Sequence, residues 1–240
     1  MPKRSNGQGA HLGSVALCLA FALGCASSPR APEAERLSGE PPTPDGLYRV
    51  ETFRVARAWL KPGVSLAAYD AVMIAPVTVS YRSADRSSSS GRRRGNQQLS
   101  PEAMERFKRI FQETFESVLS RSRHFEIASE PGEKVLLVSG HILDLVVNVP
   151  EDRGNELSYV FNAGAMTLLL NVNDSQTGAP LARAADRRAI TPAGANISRA
   201  YRSHPVNHWG AVRDVFGEWA LILREALEEL HAAPEVPLPG

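Results

Sequence analysis

The sequence predicts an α+β protein, a two-layer sandwich in which two amphipathic helices cover one face of a mostly antiparallel sheet of about four to five strands. Three observations predict this fold class. Apolar residues recur at helical spacing in two segments, other segments alternate apolar and polar residues, and the order is strand, helix, several antiparallel strands, helix. Each helix has an apolar stripe to bury, and one face of a sheet can cover both.

The first clear strand is the β-rich run over residues 69–74. Pro76 comes two residues later and lacks the backbone N–H that a sheet ladder needs. We therefore expect this strand to lie at a sheet edge or to bend at the proline.

The first helix is predicted to begin after Ser100, which can cap it, with Pro101 at the first helical position and Glu102 in the first turn. Arg121 and Arg123 favour its C-terminal end. Its apolar stripe, assigned to the core, consists of Met104, Phe107, Phe111, Phe115, Val118 and Leu119.

The strands that follow are a short one over residues 125–128 and long ones over 134–149, 165–173 and 181–190. Residues 174–178 predict a hairpin turn, because a glycine ends them and can take a left-handed backbone. Simple alternation in the first long strand places His141, Leu143 and Leu145 on one face, and Ile142 and Asp144 on the other.

The last element is a helix, with Asn207 as its predicted cap and Pro234 as its stop. Its predicted buried stripe consists of Val212, Phe216, Trp219, Leu223, Leu227 and Leu230.

The N-terminus reads as a bacterial lipoprotein signal peptide over residues 1–24. Lys3 and Arg4 precede an apolar run over residues 12–23, which is too short to span a bilayer as a mature helix. Gly24 supplies the small side chain needed at the cleavage site, and the Cys25 thiol would carry the lipid. A plain secretory peptide with an incidental cysteine and an uncleaved anchor helix remain alternatives.

The rest of the chain predicts one domain on a tether. Residues 25–47, rich in Pro, Ala, Glu and Ser, predict a disordered tether, and residues 48–233 predict a single α+β domain. Residues 234–240 predict a disordered tail. Removal of the signal takes away two basic residues and changes the net charge from +1 to −1, so the composition gives no case for nucleic-acid binding.

A polar insertion over residues 82–98 contains Arg92, Arg93 and Arg94. These arginines are candidates for contact with an anionic polymer or lipid headgroup. The alternative is a flexible, solvated loop, because serine and glycine dominate the segment and no aromatic residue is interleaved.

Six segments, in this order and spacing, resemble the DUF3313 family of bacterial envelope lipoproteins of unknown function. They are residues 59–64, 69–77, 99–102, 174–178, 186–188 and 209–219. The resemblance spans most of the chain after residue 48. It implies an envelope location and a fold type, and it brings no known activity and no catalytic residues.

No catalytic motif is evident in the sequence. His204 and His208 are four residues apart, but Pro205 disfavours helical geometry at the first of them, so we expect no metal site. The cluster over residues 186–188 is either functional or, more simply, a set of cross-strand salt bridges.

We therefore expect a non-catalytic lipoprotein at the periplasmic face of the outer membrane, held by the lipid on Cys25 and without a further cofactor. Ala26 fits outer-membrane sorting, because the commonest inner-membrane retention signal is an aspartate at that position. It would act through an envelope protein or polymer; the oligomeric state stays open. The alternatives are an enzyme with a site assembled from scattered residues and a lipid or small-molecule carrier. The aromatic residues that suggest a carrier are Phe107, Phe111, Phe115, Phe216 and Trp219.

Overall fold

The computed structural model describes residues 40–82, 98–147, 164–190 and 205–233. All of them belong to one compact unit, residues 34–240. The predicted signal peptide with Gly24 and Cys25, the arginines Arg92, Arg93 and Arg94, and the tail over residues 234–240 lie outside the described residues.

The described residues form eight strands and two helices. In chain order they are β1 (Tyr48–Val50), β2 (Arg57–Leu60), β3 (Ala71–Ile74), β4 (Thr78–Tyr81), α1 (Pro101–Leu119), β5 (Glu126–Ile127), β6 (Val135–Val147), β7 (Gly164–Asp174), β8 (Pro180–Ile190) and α2 (Pro205–Ala232).

The strands build one mixed sheet in the order β1-β2-β8-β7-β6-β3-β5, with β4 also paired to β6. In the part of the sheet ordered β1-β2-β8-β7-β6, each strand is antiparallel to the next. Strands β3 and β4 run parallel to β6, and β5 runs parallel to β3. The predicted sheet of four to five mostly antiparallel strands was therefore wrong in size and in strand direction. The chain passes through α1 between β4 and β6, and such a crossover allows parallel pairing.

The interruption at Pro76 is confirmed. β3 ends at Ile74 and β4 begins at Thr78, and both pair with β6, at Val138 and at His141 respectively. The strand is thus interrupted at the proline, while the chain on both sides of it stays paired with the same neighbour.

Helix α1 begins as predicted. Ser100 is its N-cap, and the side-chain oxygen accepts a hydrogen bond of 3.2 Å from the backbone N–H of Ala103. Helix α2 begins at Pro205, two residues before the predicted cap Asn207. Proline suits the first helical position because its φ is already helical and its missing N–H would have had no partner there.

The core lies between the helices and one face of the sheet. Four aromatic rings, at most 2% exposed, form its centre: Phe107, Phe111, Phe115 and Phe216. The rings of Phe111 and Phe115 stack with centroids 4.2 Å apart, and Phe216 meets Phe107 and Phe111 edge-on at 5.2 Å. The aromatic residues that suggested a carrier pocket are therefore packed against one another.

A β-bulge in β6 changes the predicted alternation. Asp144 has a positive φ of 52°, and the pairing with β7 shifts between Leu143 and Val146. Ile142 and Leu145 are consequently both buried, whereas Leu143 and Asp144 between them are exposed. The prediction that Leu145 shares a face with Leu143 was wrong, because one extra residue reverses the order of faces beyond it.

Neither helix in the described ranges is long and apolar enough to cross a membrane.

Candidate functional site

The sheet face opposite the helices is the candidate site. In β7 the side chains of Met166, Leu168, Leu170 and Val172 are buried, and the residues between them are only partly covered. Register places Leu169 of β7 in one row with Ala185, Arg57, His141 and Thr78. We call this the open face, because within the described residues both helices pack on the other side.

One side of the open face carries four arginines, here called the arginine cluster: Arg49, Arg57, Arg183 and Arg187. Arg49 of β1 and Arg183 of β8 flank Trp59 of β2 in one row. Arg57 lies opposite Ala185, two residues before Arg187, so Arg57 and Arg187 are diagonal neighbours. Diagonal positions on a sheet are about 7–8 Å apart, within reach of long side chains.

Two members of the arginine cluster bind carboxylates that come from the segment before β1. Arg49 forms an ion pair of 2.8 Å with Glu40, and Arg183 forms one with Asp45. A hydrogen bond from Thr43, followed by that from Arg183, holds the pKa of Asp45 below its usual value. The range predicted as a disordered tether therefore ends in residues that make defined contacts.

The other two members, Arg57 and Arg187, are exposed. Arg187 donates a hydrogen bond of 3.0 Å to the hydroxyl of Thr167, which is uncharged. Within the described part of the chain, neither arginine forms an ion pair with a carboxylate. The open face therefore presents two neighbouring positive charges that the described acids leave uncompensated.

The centre of the open face is mostly uncharged. Leu169 is half-buried, Leu143 is 37% exposed, and neither belongs to the core. Leu137 and Met73 are register partners farther along the face and also lie outside the core. Beside these side chains, His141 Nδ1 and the Thr78 hydroxyl are 2.7 Å apart. Apolar side chains thus lie next to the arginine cluster.

A second polar cluster lies on the helix side of the sheet, around Asp186. Its carboxylate accepts hydrogen bonds from Trp219 Nε1 and Arg188 Nε, both at 2.9 Å, and from the backbone N–H of Ala56 at 3.1 Å. Burial alone would raise the pKa of Asp186, but these bonds outweigh it and hold the pKa below its usual value. Arg188 also forms an ion pair with Glu218 of α2.

The Asp186 cluster therefore joins β8, α2 and the loop before β2. The expected cross-strand salt bridges over residues 186–188 were wrong in their geometry, because Arg188 pairs along its own strand and with α2. Arg187 extends to the opposite, open face, as alternation along a strand requires.

The remaining candidates from the sequence have separate outcomes. His204 lies outside the described residues, and His208 is within α2. Across the described ranges, His, Cys, Asp and Glu side chains form no group of three or more that could hold a metal ion.

Sequence reasoning missed the arginine cluster. Arg183 and Arg187 stand on one face of a predicted strand, and this period-two spacing was a usable signal. Arg49 and Arg57 come from β1 and β2, which have three and four residues, too short for a periodic pattern.

These observations define an α+β domain with one open sheet face. The model of the DUF3313 family, whose members are proteins of unknown function, matches residues 45–222 of this chain. The chain belongs to the DUF3313 family, which confirms the resemblance seen in the sequence. No curated protein matches it.

Several solved structures are similar to the chain at low identity. A single-substitution variant of the PelC dodecamer from Paraburkholderia phytofirmans is 14% identical and covers 73% of this chain and 96% of its own, with a TM-score of 0.34. A DUF330 protein from Xanthomonas campestris is 10% identical and covers 68% and 83%, with a TM-score of 0.40. A candidate lipoprotein from Caulobacter crescentus CB15 is 11% identical and covers 68% and 89%, with a TM-score of 0.31. At such values these likenesses carry no functional argument.

Proposed function

We propose that this protein is a non-catalytic lipoprotein, anchored through Cys25 at the periplasmic face of the bacterial outer membrane, that contacts an envelope partner through the open face. The observation that carries the proposal is the arginine cluster beside apolar side chains that are partly exposed on the same sheet surface. Exposed apolar patches mark interaction sites, and arginine is enriched at protein interfaces.

The lipid anchor is supported by the sequence alone. The basic start, the apolar run over residues 12–23 and the small Gly24 before Cys25 are the parts that lipid attachment and cleavage need. Membership in DUF3313, a family of unknown function, assigns no activity to the chain.

A non-catalytic role is supported by the use of the polar side chains. Asp186 and Arg188 join α2 to β8, and Tyr69 donates a 3.0 Å hydrogen bond to Asp174 at the β7–β8 turn. These bonds connect elements of the fold. The aromatic residues that suggested the carrier alternative are core, so that alternative loses the observation that raised it.

The anchor is tested by intact-mass analysis of membrane-fraction protein, wild type beside Cys25→Ser. We expect the wild-type chain to begin at residue 25 and to carry a diacylglyceryl group and a further acyl chain. The variant should lack this added mass. An unmodified wild-type chain would reject the anchor.

The contact surface is tested by photo-crosslinking in intact cells. A photoreactive residue replaces Leu169 on the open face or, as a matched control, Leu221, which is 41% exposed on α2. We expect a crosslinked product from position 169 and none from position 221. Products from position 221 alone, or from neither position, would contradict the proposal.

A further inference from the structure

We infer that Arg57 and Arg187 form a docking site for an acidic peptide segment of a partner protein, with the segment's carboxylates on the two arginines. The inference rests on the proposed function and names the chemistry of the partner. Both side chains are exposed diagonal neighbours on the open face. Arginine binds carboxylates well because its planar guanidinium offers several N–H donors in a fork.

The chain itself supplies a precedent for this chemistry. Glu40 and Asp45, on a peptide segment that precedes β1, bind Arg49 and Arg183. Arg183 also donates to the side-chain oxygen of Asn171 at 2.7 Å, which fixes its direction on the face. Peptide carboxylates therefore occupy half of the arginine cluster already, and the same ligand chemistry fits the other half.

Charge complementarity favours an acidic partner. Arg57 of β2 lies opposite Ala185 of β8, two residues from Arg187. Within the described residues neither arginine is paired with an acid. Two like charges this close repel each other, so carboxylates that bridge them remove an unfavourable interaction as well as adding a favourable one.

The apolar surface beside the arginines favours a peptide over an acidic polysaccharide. Leu169 is in the same row as Arg57, with Ala185 between them, and Leu143 is in the row of Arg187, with Thr167 between them. Side chains of an extended peptide alternate between two faces, so a segment with an acidic and an apolar residue two positions apart presents both kinds of group to this surface. A uronic-acid polymer offers carboxylates but no aliphatic side chains.

The test uses full-length protein purified from the membrane fraction in non-ionic detergent. The probe is a fluorescein-labelled peptide that repeats glutamate, serine, valine and serine, which places glutamate and valine on the same face of an extended chain. Binding is followed by fluorescence anisotropy. The first variant is Arg57→Glu with Arg187→Glu. The matched control is Arg109→Glu with Arg213→Glu, which makes the same charge change at exposed positions on α1 and α2.

We expect the open-face variant to bind the peptide about tenfold more weakly than wild type, as two partly solvated ion pairs would give. The helix control should bind like wild type. The milder Arg57→Gln with Arg187→Gln, together with a thermal melt of each protein, separates lost binding from lost folding. Binding should also weaken as salt rises.

Three results would overturn the inference. They are no binding by wild type, equal weakening in the open-face variant and the helix control, and stronger competition by polygalacturonate than by unlabelled peptide at equal carboxylate concentration. If one of these results is obtained but position 169 still gives a crosslink in cells, the acidic peptide is rejected and the open-face contact is kept. Loss of that crosslink as well would reject the proposed function itself.

Discussion

Trp219 donates its indole N–H to Asp186 Oδ2 at 2.9 Å, and this bond joins α2 to β8 across the interface between helices and sheet. Trp219 is only 3% exposed, and the same carboxylate oxygen also accepts from Arg188. The Asp186 carboxylate thus accepts hydrogen bonds both from α2 and from its own strand, β8. These bonds hold α2 in one position along the sheet.

Trp219→Phe should lower the free energy of unfolding by about 2–3 kcal/mol, because it removes a hydrogen bond to a charged group and leaves a gap in the core. The matched control is Trp209→Phe, at a half-buried tryptophan whose ring lies 4.8 Å from the Arg106 guanidinium. That change should cost about 1 kcal/mol or less. Urea unfolding of both variants measures the difference, and equal losses would contradict the role of the bond.

Acid should destabilise the protein partly through Asp186. Its pKa is held below the usual value in the folded state, so its contribution is present above about pH 4 and is lost as the pH falls through the lower, folded pKa. Asp186→Asn removes this titration. We expect the variant to be less stable at neutral pH and to lose less stability on acidification. Parallel acid slopes for the two proteins would argue against this.

Alkali should destabilise the protein through Tyr69. Burial, followed by the hydrogen bond to Asp174, raises the pKa of Tyr69 to about 12. The unfolded tyrosine ionises near pH 10, so stability is fully present below that pH and is lost as the pH rises towards the folded pKa. Tyr69→Phe should flatten this fall in denaturant titrations. A fall as steep as that of wild type would show that Tyr69 is not its source.

Gly140→Ala should destabilise the core. A Cβ atom at this position would lie 2.5 Å from Cζ of Phe111, an overlap that forces the ring to move. We expect a loss of about 1–3 kcal/mol, partly recovered by adding Phe111→Leu. Gly210→Ala in α2 is the matched control, because nothing lies within 4 Å of its added Cβ and alanine favours a helix. A loss at Gly210 as large as at Gly140 would reject the steric explanation.

Ser100→Ala should lower stability by about 1 kcal/mol, because the N-cap bond to the Ala103 N–H is lost. Ser117→Ala, at an exposed position within α1, should have little effect. Thermal unfolding compares them, and a shift of about 2–4 °C is expected for Ser100→Ala alone. Equal shifts would mean that the cap contributes nothing.

The sequence by itself determined the long elements and the core. Helical spacing predicted the buried stripe of α1, including Phe107, Phe111 and Phe115. Alternation in the predicted strand over residues 165–173 puts Met166, Leu168, Leu170 and Val172 on one face, and all four are buried. Gly178 has the positive φ that its turn needs. Such patterns are local, since each is written in neighbouring residues of one segment, and so they can be read without the fold.

Only the tertiary structure decided the width of the sheet, its strand directions and the composition of the open face. Strands of two to four residues, such as β1 and β2, become strands by pairing with a neighbour, and no periodicity of their own marks them. The bulge at Asp144 is likewise a property of pairing between β6 and β7. Arg57 and Arg187, 130 residues apart in the chain, become neighbours through the register of β2 with β8, and a single sequence does not encode that register in any local pattern.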